Sequence, residues 1–151
     1  MSYINVSGAG EFATLSIALD SGLTTPLAIP ALQEIGISNS NGVFRFKTLN
    51  STSESAVLTP ATNQVTLSVI VDSAAMFGDG AGDATAVDKG LFKLSNDKVR
   101  IYFLINMGGD SGNTVSGTGF LSGLTMSVTP DQPLWTSPLT IEVDGNYLIN
   151  D

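Results

Sequence analysis

Four aspartates, Asp72, Asp79, Asp83 and Asp88, surround the glycine-rich run Gly78-Asp79-Gly80-Ala81-Gly82-Asp83. A hard cation such as Ca²⁺ draws its oxygen ligands from flexible loops of this kind. Their intervals fit neither D-x-[DN]-x-[DN]-G nor another ligand spacing, so turn chemistry accounts for them. Glu142 and Asp144 lie two apart, which on a strand places both on one face, as a carboxylate pair for glycoside cleavage would require. That face is the polar side of an alternating strand, where solvation or a contact between subunits explains them better. Gly8-Ala9-Gly10 and Gly117-Thr118-Gly119 complete neither G-x-G-x-x-G nor a Walker loop and read as turns or bulges. Trp135, with Tyr3, Tyr102 and Tyr147, would form a sugar-binding platform only if exposed together, and isolated aromatics in a β protein are more often core or interface anchors. The chain has no cysteine and no histidine. It therefore lacks thiolates, the commonest general base and the commonest metal ligand. No catalytic residue, metal site or cofactor is assigned, and an enzyme is not expected.

The elements that would carry these residues are mostly strands. Leu15, Ile17 and Leu19 alternate with Thr14, Ser16 and Ala18, and Val65, Leu67, Val69 and Val71 alternate with Thr66, Ser68 and Ile70. Val99, Ile101, Phe103 and Ile105 repeat the period of two. So do Leu124, Met126 and Val128, and then Leu139, Ile141 and Val143. Shorter strands are expected over 42–47 and 146–149. Turn signals fall at Asp20-Ser21-Gly22, Asn39-Ser40-Asn41-Gly42, Asp110-Ser111-Gly112-Asn113 and Asp144-Gly145-Asn146. The segment 27–32 reads as a breaker, extended before Pro30. Residues 84–94 place Val87, Leu91, Phe92 and Leu94 at helical spacing, with Asp83 as the N-cap and Lys89 and Lys93 toward the end. The Ser- and Thr-rich stretch from Leu49 to Thr62, which includes Pro60, is an exposed loop or a long hairpin arm. The fold class expected is all-β, an antiparallel sandwich or barrel in one domain over 1–151, with one short flanking helix and long loops.

Composition narrows the role. Only 13% of residues are charged, against about 25% in ordinary globular chains, and the net charge is −8 with six basic residues. Clustered Lys and Arg for phosphate neutralisation are missing, which disfavours wrapping a nucleic acid. A mean hydropathy of +0.24 with so few charges points to self-association. The start Met1-Ser2-Tyr3-Ile4-Asn5 has no signal-peptide pattern, and no apolar run reaches the ~20 residues of a membrane span. A soluble protein made in the cytoplasm is expected.

The run 115–128, Val-Ser-Gly-Thr-Gly-Phe-Leu-Ser-Gly-Leu-Thr-Met-Ser-Val, followed by Leu139-Thr140-Ile141-Glu142-Val143-Asp144-Gly145, resembles the end of tail tube proteins of tailed phages. The strand at 65–71, the helix ending near Leu94 and the strand at 99–105 are similar to the middle of that family, so the resemblance covers residues 65–149. It implies a virion structural protein of the tail whose copies form rings of six, stacked into a tube that conducts DNA without binding it specifically. It further implies partners among sheath, baseplate and tail terminator proteins. Glu142 and Asp144 would then face the channel. Two stretches, one represented by Leu49, Ser51, Ser53 and Glu54 and the other by Phe77, Asp79 and Asp83, would make contacts between rings. The alternatives are a capsid decoration protein or another virion structural component, and a carbohydrate-binding β-sandwich module.

Overall fold

Alternation of apolar and polar side chains dictates strands that bury one face, and most of the chain obeys it. The computed structural model describes residues 12–30, 32–108 and 112–150. Tyr3, Gly8-Ala9-Gly10 and the Asp110 and Ser111 of one expected turn lie outside them. Among the described residues nine strands join one sheet, every pairing antiparallel. They are β1 (Thr14–Ala18), β2 (Leu27–Ala28), β3 (Leu32–Phe46), β4 (Ser55–Ile70), β5 (Ile101–Asn106), β6 (Thr114–Ser122), β7 (Ser127–Thr129), β8 (Gln132–Val143) and β9 (Leu148–Asn150). Helices α1 (Ser73–Phe77) and α2 (Ala86–Asn96) fall between β4 and β5.

The hydrogen-bonded path runs β2-β1-β5-β6-β8-β4-β3, with β7 on β8 and β9 on β6. Laid flat, six steps of ~4.8 Å would separate its end strands by about 29 Å. Only residues 29–31 connect them, and four Cα steps reach ~14 Å at most. The sheet must curl, and its two halves close on one core. Leu15 and Ile17 of β1, Ile101, Phe103 and Ile105 of β5, Leu139 and Ile141 of β8, and Val65, Leu67 and Val69 of β4 share that core with Met76, Leu91 and Leu94 of the helices. Each such side chain contributes about 1.5–3 kcal/mol relative to exposure.

The all-β reading holds, with a second helical turn, α1, beside the expected helix. Asp72 caps α1 by accepting from Ala75 N at 3.1 Å. The cap of α2 is Thr85 and not Asp83, because Thr85 and Asp88 form a reciprocal capping box at 3.2 Å each way. Asp83 instead pairs with Lys93. The ammonium holds the Asp83 carboxyl below its ordinary value, and the carboxylate raises Lys93 in return.

Three strand expectations need correction. Asn39-Ser40-Asn41-Gly42 is not a turn but the middle of β3, which pairs with β4 through that region. What the Asn-Gly pair marks is a register shift, since Asn41 faces Ala61 and Gly42 faces Thr59, leaving Pro60 as the extra residue. Proline has no N–H for the ladder, so a bulge suits it. Gly117 and Gly119 also lie within a strand, β6, and not in a turn. A Cβ on Gly119 would sit 2.1 Å from the Glu142 carbonyl oxygen, so glycine there permits the close approach of β6 to β8. Finally, the strand expected at 124–128 is present only as β7 (Ser127–Thr129), with Leu124 and Met126 packed on the core from a loop.

The helices meet backbone to backbone. Gly90 kinks α2 at φ 75°, and a Cβ there would lie 2.4 Å from Gly78 N. Gly90→Ala should destabilise the fold by on the order of 3 kcal/mol, combining strain with collision. Gly80→Ala has a similar φ of 77° but open space around it, and should cost clearly less in urea denaturation. Equal losses would show that the close approach contributes nothing.

Candidate functional site

Period-two alternation gives the half-sheet β3-β4-β8-β6 two different faces. Val65, Leu67, Val69, Leu139, Ile141 and Leu121 point into the core. The opposite face follows the strand register in rows: Ser38, Gln64, Glu142 and Phe120, then Gly36, Thr66, Thr140 and Ser122, then Glu34, Ser68 and Pro138. Hydroxyls and an amide dominate, the charges are the carboxylates Glu34 and Glu142, and none of these residues is a Lys or Arg. Gln64 Nε2 donates to both Glu142 oxygens, at 2.8 and 3.1 Å, and so ties that carboxylate to the neighbouring strand.

Asp144 sits just past the end of β8, at the margin of this face. Arg100 Nη1 pairs with its Oδ2 at 2.8 Å while the guanidinium lies 5.2 Å from the centroid of the Phe120 ring. The two acids singled out together from the sequence therefore differ in electrostatics. Glu142 is held by a neutral amide, and Asp144 is paired with a guanidinium.

Two hairpins project from opposite ends of the half-sheet. Asn63 of β4 faces Val143, where β8 ends, so residues 55–62 run on with β3 as a two-stranded arm about 26 Å long. The hairpin-arm reading of 49–62 is the one observed, and Leu49, Ser51, Ser53 and Glu54 form its tip. At the other end Ile70 faces Thr136, and residues 132–135 continue past β4 paired with β7. Val71, α1 and the loop after it lie at this second end, placing Phe77, Asp79 and Asp83 far from the arm tip.

The arm is apolar on both faces and covered on neither. Phe44, Phe46 and Val57 share one face, with the two rings stacked 6.2 Å apart, and Val43 and Leu58 share the other. Its base is clamped to the body. Buried Asn63 accepts from Asn39 and donates to the Gly145 carbonyl at 2.6 Å. The Tyr147 hydroxyl shares its proton between the carbonyls of Ser38 and Gln64, at 2.6 and 2.9 Å. Burial pushes that phenol above its ordinary value, so it remains a donor through neutral pH. The clamp was not visible in the sequence, because Asn39 looked like a turn residue and Asn63 falls between the Ser- and Thr-rich stretch and the strand that follows it.

The four aspartates do not converge. Asp72 and Asp88 cap helices, Asp79 accepts from Ala81 N at 2.9 Å, and Asp83 pairs with Lys93. Among the described residues no group of three His, Cys, Asp or Glu side chains could hold a metal. The aromatics do not converge either: Tyr102 borders a cavity with Ser21 and Leu148, Trp135 borders another with Phe77, and Tyr147 is committed to the clamp.

No family model matches the sequence, and no curated protein matches it. Solved structures do. The chain is similar to one from the tail of an empty gene transfer agent particle refined with C6 symmetry, with a TM-score of 0.66 and 15% identity over 91% of this chain and 96% of that one. It is similar to the SPP1 tail tube, with a TM-score of 0.64 and 13% identity over 93% and 77% of the two chains. A sheath-tube complex of an extracellular contractile injection system in its extended state gives 0.62 and 14% over 93% and 89%. The chain has the tail tube fold.

Tyr147→Phe tests the clamp. Losing the shared proton should cost roughly 1 kcal/mol, and hydrogen exchange should quicken across 38–64 more than in β5. Uniform quickening would contradict a local role at the arm base.

Proposed function

We propose that the protein is a non-enzymatic virion structural subunit whose copies form hexameric rings stacked into a tail tube for DNA passage. The observation that carries this reading is the four-strand face bearing hydroxyls, Gln64, Glu34 and Glu142, whose one neighbouring cation, Arg100 over Phe120, is paired with Asp144 at the margin. Such a face is wettable and repels phosphate, so a duplex slides along it without adhering. Edge strands β2 and β3 suit it, because neighbours in a ring satisfy edges that invite aggregation in a monomer. The sixfold symmetry of the gene transfer agent tail supports rings of six. In this reading Glu142 faces the channel with Asp144 at its edge, and the arm tip and the 77–83 loop meet neighbouring rings. The subunit is made in the host cytoplasm and joins sheath, baseplate and terminator proteins in the virion tail.

Electron microscopy of the purified protein in negative stain, with sedimentation over a concentration series, should show hollow six-membered rings that stack. A persistent monomer or trimer would overturn the reading. Assembled tubes should not cosediment with double-stranded DNA at physiological salt. The Glu34→Lys, Glu142→Lys double variant should retain DNA in a salt-dependent way, because each phosphate contact adds roughly 0.9 to the logarithmic salt slope. Strong DNA binding by the unaltered tube would contradict a repelling face.

A further inference from the structure

The two ends of the half-sheet carry surfaces that complement each other and cannot meet within one chain. At the arm tip, Ser51 N donates to the Thr48 carbonyl at 3.2 Å and Thr48 Oγ1 donates to Asn50 Oδ1 at 2.8 Å, forming an ordered turn. That turn holds Leu49 wholly in solvent, at 109% relative exposure. Beyond the opposite end, Val71, Phe77, Met126 and Trp135 line an open cavity of about 160 Å³. An apolar cavity of ~150 Å³ accepts benzene, so a leucyl side chain fits this one.

Charge points the same way. Arg45 and Lys47 beside the tip have no ion-pair partner among the described residues. Around the cavity end stand the exposed carboxylates of Asp79, two residues past Phe77, and Asp131, at the turn of the β7–β8 hairpin. The tip, net positive with Arg45 and Lys47 against the single acid Glu54, thus faces away from an acidic, apolar socket on the same molecule. Only a second copy displaced along the strands brings one to the other, and such a head-to-tail contact extends without closing on itself.

We infer that Leu49 of one copy seats in the Val71, Phe77, Met126 and Trp135 cavity of the next copy along the tube, with Arg45 and Lys47 opposite Asp79 and Asp131. This rests on the stacked-ring reading and specifies its axial contact.

Trp135 is the chain's only tryptophan and is half exposed, so its emission reports on the socket. As rings stack over a concentration series the emission should shift to the blue. Leu49→Asp should still give rings in the microscope but lose both stacking and the shift, and Leu49→Met should keep both. The chain has no cysteine, so a mixture of Leu49→Cys and Phe77→Cys proteins should form a disulfide dimer under mild oxidation. Stacked tubes with unshifted emission, stacking by Leu49→Asp, or Leu49→Cys linking to itself would each overturn this contact while leaving the tube intact. Absence of rings from the unaltered protein would overturn the tube reading itself and this contact with it.

Discussion

A sheet path whose end strands are joined by three residues cannot lie flat, and the rest of the molecule follows from that curl. Once β2 and β3 are drawn together, the apolar faces of β1, β5, β8 and β4 must point inward to one core. The outer face of β3-β4-β8-β6 is left to water. With 13% charged residues, that face is wetted by hydroxyls and amides, its strand rows carry only carboxylates, and Arg100 at the margin is paired with Asp144. The same shortage of charge leaves large apolar side chains uncovered at the ends, where a monomer has nothing to put on them.

The long hairpin extends the argument from core to assembly. Its inner half is held in the sheet by β8, and its outer half by β3 alone, so its direction depends on what happens where β8 ends. Asn63 and Tyr147 supply the fixing there, linking β3 and β4 to the turn after β8. A buried amide with every polar group satisfied is costly to rearrange, which makes it a suitable anchor for a lever about 26 Å long. The arm is apolar on both faces, and the strength of any contact it makes comes from burial rather than from its two cations.

Much of this was legible in the chain. Strands β1, β4, β5 and β8 show themselves by period two because one face of each is buried, and the helix shows itself by Leu91 and Leu94. The arm was legible only in outline, as a short strand at 42–47 and a loop or hairpin arm at 49–62, since a strand exposed on both sides is under no pressure to alternate, and Asn39 through Gly42 then look like a turn. Asp83 read as the cap because aspartate is a good N-cap residue, but the Thr85–Asp88 box caps α2 and Asp83 pairs with Lys93. Alternation placed Glu142 on the polar face of its strand, where the register of β8 has it. That Asp144 pairs with Arg100 was not visible, because the ion pair joins the residue before β5 to the residue after β8 across 44 positions of sequence. The joint pattern of glycines and apolar residues at 115–128 carried the resemblance that the fold bears out.

The central claim is that one sheet face lines a bore while the arm leaves for the neighbouring ring. A cryo-electron microscopy reconstruction of the self-assembled protein tests it most directly. The account predicts Glu34 and Glu142 on the wall of a central channel and the 47–54 tip against the next ring. Those carboxylates on the outer wall, or an arm folded back on its own subunit, would contradict it.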